Sequence, residues 1–163
     1  PAVQAPRSQR HRGPRWLRGV RSCCLVSAIA NLLWEPVQMP LYTLWRTGTE
    51  KEISRAIFHC SAGDVMIAAA ALLSALVLLG APEWPAKSGV RVGICTVLFG
   101  MAYTIYSEHL NSVVRSAWTY TEAMPVVPLL GTGLAPLVQW VAVPTVALWV
   151  VCVPCRDVSR HPL

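Results

Sequence analysis

The sequence predicts an all-α polytopic membrane bundle of four transmembrane helices, the first and fourth interrupted by proline. Two observations carry that expectation. Hydrophobic residues make up 54% of the 163 and charged residues only 13%, where a soluble domain would carry about 25% charged. The apolar residues also fall into four runs joined by short connections. A bilayer crossing needs roughly 20 residues, so the length suits one membrane domain and leaves no room for a second, soluble one.

Residues 1–21 form a polar tail with no apolar periodicity, expected to be mobile until it meets a membrane. It holds Arg7, Arg10, Arg12, Arg15, Arg18 and Arg21, six of the 14 basic residues behind a net charge of +6. No folded nucleic-acid module or aromatic-interleaved basic surface accompanies them, so anionic lipid headgroups are the expected partner and nucleic acid is not. Ala28-Ile29-Ala30 resembles a signal cleavage site. The apolar run before it is short, however, and continues through Trp34, which favours a retained span.

The first span is expected over residues 22–45, with a break near Glu35-Pro36 and Pro40. Asn31, Glu35, Gln38 and Tyr42 follow steps of four, three and four and share one helix face, which lipid would force inward. After a hydrophilic connection over residues 46–55, the second span runs through residues 56–80. Its first turns carry His59, Cys60, Ser61 and Asp64, and its glycine and alanines allow close helix approach. A turn with Pro82, Trp84 and Pro85 leads to the third span, residues 90–110. Thr104, Glu108, Asn111 and Arg115 repeat the four-three-four spacing there, beside His109. The loop that follows offers Trp118 and Tyr120 as interfacial anchors. The fourth span, residues 126–153, is made irregular by Gly131, Gly133, Pro136 and Pro144. It is expected to open on a re-entrant segment at LLGTGLAP and then present Gln139. Residues 22–155 thus form the membrane domain and residues 156–163 a short tail.

With four crossings, the two tails plus Lys87 and Arg91 gather ten basic residues on one side, against Arg46, Lys51, Arg55 and Arg115 on the other. The positive-inside rule then sets both termini in the cytoplasm, in a bacterial inner (plasma) membrane. Glu35, Asp64 and Glu108, from three different spans, would meet near the outer boundary. Intramembrane acids are costly and mark functional sites by default, and desolvation would fit these three for acid-base work. Around them the expected pocket residues are Asn31, Gln38, His59, His109, Asn111, Arg115, Trp118, Tyr120 and Gln139. The plainer alternative is a structural network: Arg115 pairing with Asp64 or Glu108, and Asn31 and Gln38 bonding neighbouring helices.

No metal site is assigned, because His59 and Asp64 do not stack on a helix face and adjacent Glu108 and His109 point about 100° apart. His59 and His109 are the only candidates for haem ligation, and their interfacial location argues against it. The cofactor stays unknown. Cys152 and Cys155 form a CxxC without a thioredoxin-like context, so the cysteines are read as packing residues.

The combination WEPVQMPLYTLWRTGT, HCSAGD, YTIYSEHLN, AWTY and MPVVPLLGTGLAPLVQW, spanning Asn31 to Pro144, resembles small, uncharacterised four-helix inner-membrane proteins of proteobacteria. That resemblance implies a membrane location and no activity. Glu108, Trp118 and Tyr120 are also similar in residue type to the acid and Trp-x-Tyr of heterodimer-type lycopene cyclases, but the Pro-x-Glu-Glu element is absent and the activity is not transferred. The expected function is an enzyme or binder acting on an apolar lipid or isoprenoid. The alternatives are a non-catalytic assembly subunit of a membrane complex, or a proton or small-solute pathway built from a homo-oligomer.

Overall fold

The structure, a computed structural model, describes residues 14–160, the last five as backbone only. Most of the expected mobile basic tail, residues 1–13, and the end of the C-terminal tail, residues 161–163, lie outside the described residues.

The described chain is helical, with two isolated backbone bridges and no strand. Helix α1 covers Arg15–Gln38. It runs two residues past Pro36 before a 3-10 turn, Met39–Leu41, takes over at Pro40. The four-residue α2, Leu44–Thr47, follows. The first helix therefore starts and stops seven residues earlier than expected. Helix α3, Glu50–Leu78, starts within the expected hydrophilic connection. Thr49 explains this: its hydroxyl accepts from the Glu52 amide while Glu52 Oε2 accepts from the Thr49 amide at 2.8 Å. That capping box satisfies two otherwise orphaned donors and nucleates the helix outside the apolar run. Helix α4, Gly89–Glu108, passes into a π-helical stretch, His109–Val114. Helix α5, Leu134–Arg160, carries Pro144 and Pro154 inside it.

Residues 126–133 are not helical, so the fourth long helix begins at Leu134 and not at Val126; the irregular opening expected at LLGTGLAP covers Leu129–Gly133. Residues 126–133 form a tight loop closed by Val127 N–H to Thr132 O (2.9 Å) and Leu134 N–H to Pro125 O (2.7 Å). Backbone φ is positive at both Leu129 and Gly131, a conformation incompatible with a right-handed helix.

Each of the four long helices packs against two others: α1 on α3 and α5, and α4 on α3 and α5. This closes a ring of helices around one interior. Three stretches, Glu50–Leu78, Gly89–Val114 and Leu134–Cys155, are long and apolar enough to cross a membrane. The distribution of polarity is inverted relative to a soluble bundle. Leu25, Ile29, Leu33 and Val37 make an outward-facing apolar stripe on α1, while Ser27, Asn31, Glu35 and Gln38 are buried. Phe58, Met66, Val77, Ile94, Leu98 and Trp149 continue the apolar exterior on the other helices. Such a surface is stable when the surrounding medium is itself apolar.

The interior changes character along its length. At the end holding the start of α1 and the 79–88 turn, Val20, Cys23, Leu72, Ala75, Trp84, Val92, Leu148, Val151 and Cys152 form a dry apolar core. Trp84 lies directly on Gly19. Midway, the Trp140 ring lies flush on Gly100, where a Cβ would collide with it. Beyond that seam the interior becomes polar.

Gly100→Ala should therefore destabilise the protein by about 1–3 kcal/mol through overpacking. Gly63→Ala, whose added Cβ meets nothing within 4 Å, should be neutral or slightly stabilising. Thermal unfolding of the two variants in detergent checks the contrast.

Candidate functional site

All four long helices send polar side chains into the wide end of the ring. The steps of four and three in α1 carry Asn31, Glu35 and Gln38 inward together, as helix geometry requires. On α4 the buried series Val92, Thr96, Gly100, Thr104, Glu108 advances strictly by four. Glu108 is thus the last rung before the π-helix, where the wider turn is held by Arg115 N–H to Leu110 O at 2.9 Å. Asn111 is fixed there by its side-chain amide on Ser107 O, also 2.9 Å. π-Helical insertions recur at functional positions because they re-aim side chains.

Gln139 of α5 is the hub of the deeper cluster. Its Nε2 lies 3.1 Å from Asn31 Oδ1, 3.1 Å from Glu35 Oε1 and 2.8 Å from Asp64 Oδ2. Gln38 Nε2 donates to Glu35 Oε1 at 2.9 Å and to Gln139 Oε1 at 3.1 Å, and Gln38 Oε1 accepts from the Trp34 indole. Five polar side chains from α1, α3 and α5 are thereby linked, four of them buried and Asp64 half-buried, which is how buried polar groups are tolerated.

Glu108 forms a separate, shallower station. The Tyr120 hydroxyl donates to its Oε2, and the Trp118 indole lies 3.4 Å from the same oxygen. The Tyr120 oxygen in turn accepts the Gly133 amide at 3.1 Å. The loop bearing these residues is anchored to the α1–α2 connection by Thr43 N–H to Thr119 O (3.0 Å), Thr121 N–H to Leu41 O (2.9 Å) and the Thr43–Thr119 hydroxyl pair (2.6 Å). The rings of Tyr42 and Tyr120 pack 5.5 Å apart.

Between the two stations lies a cavity of about 370 Å³. It is lined by Glu35, Gln38, His59, Asp64, Glu108, Asn111, Arg115, Trp118 and Gln139 among the sequence-predicted residues. Asn31 joins through Gln139, and Tyr120 through Glu108 and the Tyr42 ring. His109 does not join: it is exposed, next to Glu108 but turned away from the cavity. Arg115 lines the mouth without pairing. Among the described residues the ion pair is Lys87 with Glu83, 2.7 Å apart and on the surface, so the expected Arg115 partnership with Asp64 or Glu108 is not formed. No three of His, Cys, Asp or Glu among the described residues are arranged to hold a metal ion.

Several lining residues were not among the expected pocket residues: Cys60, Tyr103, Ser107 and Trp140. Tyr103 and Ser107 fall one position off the Thr104–Glu108 face, so spacing from the acids was the available signal. Thr104 itself is 5% exposed, lines the cavity, and its hydroxyl has no hydrogen-bond partner. No family model, no curated protein and no solved structure matches this chain.

Tyr42 and Tyr120 sit in the loops capping the cavity, and both phenols are pushed above their ordinary value near 10. Burial is the largest cause. For Tyr42 the Glu108 charge comes next, and for Tyr120 the hydrogen bond to Glu108. A neutral phenol held this way contributes stability that is complete below the unfolded value and is lost as pH climbs through the folded one. Stability should accordingly fall above about pH 10 in alkaline unfolding experiments. In Tyr120→Phe that fall should be smaller, starting from a protein already destabilised by about 1–3 kcal/mol through the orphaned Gly133 amide.

Proposed function

We propose that this chain is a small integral membrane protein whose four long helices all cross the bilayer, and that its cavity receives the polar end of an apolar lipid or isoprenoid-like molecule. In this reading both termini are cytoplasmic in a bacterial inner membrane, and the cavity faces outward. The outward apolar stripe on α1 supports a fourth crossing. Its 24 residues reach about 36 Å, and its polar residues turn inward, where they cost a helix its overall apolarity without facing lipid. The bias of basic residues toward the termini supports the orientation.

The observation that carries the ligand reading is the cavity itself. It mixes acids and amides with the apolar and aromatic walls of Met39, Leu44, Ile67, Tyr103 and Trp140, the composition of a site for an amphiphile. Of the three acids, Glu108 is the one placed to meet a ligand, since its bonds run to loop residues, Tyr120 and Trp118. Glu35 and Asp64 are engaged with Gln139, and the closed hydrogen-bonding there favours the structural reading for that half of the cluster. Asn111, Arg115 and His59 would then line the entrance. The dry core beyond Trp140 disfavours a solute pathway through a single chain.

The full chain, purified in mild detergent, should carry a lipid-like molecule detectable by mass spectrometry beyond the bulk lipids of the host. Glu108→Gln should retain about tenfold less of it, the loss of one hydrogen bond to a charged group, with little change in unfolding temperature. Equal retention by the variant, or nothing beyond bulk lipid on the parent, overturns the reading.

A further inference from the structure

We propose that the polar end of the ligand is a protonated amine: the cavity is an ammonium site for an amphiphile. This rests on the ligand-binding reading above and names the chemical class it takes. Three side chains of negative formal charge, Glu35, Asp64 and Glu108, border one cavity of about 370 Å³, and no lysine lines it. The two basic side chains that do, His59 and Arg115, are exposed, and neither pairs with an acid among the described residues. Like charges set this close in a membrane interior require balance from a proton or from a bound cation.

The independent pointer is Thr104. Thr104 lines the cavity and its buried hydroxyl oxygen lacks any partner, although a buried hydroxyl normally has one. It sits one helical turn below Glu108 on the same face of α4. A primary ammonium, with three donors and no acceptor, would satisfy Thr104 and Glu108 together. A carboxylate or phosphate would meet the acids as a like charge. The walls add the second half of ammonium recognition: Tyr42, Tyr103, Trp118 and Trp140 all border the space, and aromatic faces attract organic cations. A bare metal ion is disfavoured by the ligand arrangement and would leave the aromatic walls without a role.

Dodecylamine, dodecanol and dodecanoate share one chain and differ in the headgroup, which makes them the probes. Each is titrated into the full-length protein in maltoside micelles at pH 7, at matched mole fraction, following the saturable change in tryptophan emission, to which Trp118 and Trp140 at the cavity contribute among the chain's seven tryptophans. The amine should saturate at a mole fraction at least about tenfold below the alcohol, the worth of one charge-assisted hydrogen bond, and dodecanoate should be the weakest. Glu108→Gln should bring the amine down to the level of the alcohol. Thr104→Val, which keeps the shape and leaves the acid network intact, should weaken the amine several-fold and leave the alcohol unmoved; it decides the matter if Glu108→Gln does not fold.

Repeating the measurement with phosphatidylethanolamine against phosphatidylglycerol distinguishes a lipid headgroup from a free alkylamine as the source. Preference for either amine over its amine-free counterpart supports the proposal. Equal binding of amine and alcohol, or an amine preference that survives both substitutions, overturns the ammonium assignment and leaves the lipid pocket standing. Absence of saturable binding by every probe removes the pocket reading as well.

Discussion

Gln139 is the constraint on which the fold and the site both depend. Its amide nitrogen carries two hydrogens and faces three acceptors, Asn31, Glu35 and Asp64, while its carbonyl takes a bond from Gln38. In a bundle surrounded by lipid, apolar contacts between helices gain little, because the tails outside are as oily as the side chains. A shared amide therefore has leverage that it would lack in water. It ties α1, α3 and α5 at one level and fixes which face of each turns inward.

The rest of the architecture follows from where that knot is tied. Toward the opposite end, glycine and aromatic contacts replace polar ones, with Trp84 on Gly19 and Trp140 on Gly100. Those seams bring the helices close and leave a solid apolar plug. On the near side a cavity lies beside the knot, and loops close over it. The 116–121 segment does so by backbone pairing with residues 41–43, and the Tyr120 hydroxyl links Glu108 of α4 to the Gly133 amide just before α5. The cavity is the space left between a tight polar knot and a hydrogen-bonded cap.

Much of this was visible in the spacing of residues, because the inward face of a membrane helix is the face that carries its polar groups. Asn31, Glu35 and Gln38 on α1, and Thr104 and Glu108 on α4, follow directly from a period of 3.6. What periodicity could not reveal had other physical causes. The start of α3 depends on the Thr49–Glu52 cap, a local signal outside the apolar run. The loop at 126–133 carries the apolar residues of a span, but Pro128 and the left-handed backbone at Leu129 and Gly131 keep it out of a helix. His109 shares its sequence neighbourhood with Glu108 but not its face. Arg115, which the structural alternative pairs with an acid, is exposed at the rim just after the π-helix and forms no such ion pair. Trp140 gave no sign of its role, since its place depends on the absence of a side chain at Gly100, one helix away.

A double-mutant cycle across the knot tests the central claim most directly, pairing Gln139→Leu with Glu35→Leu and reading unfolding free energy in detergent. Either single change should cost about 1–3 kcal/mol by leaving its partners unsatisfied. Together they should cost clearly less than their sum, with a coupling of at least about 0.5 kcal/mol. Strict additivity would mean that the two side chains do not share a hydrogen bond and that something else holds the bundle in register.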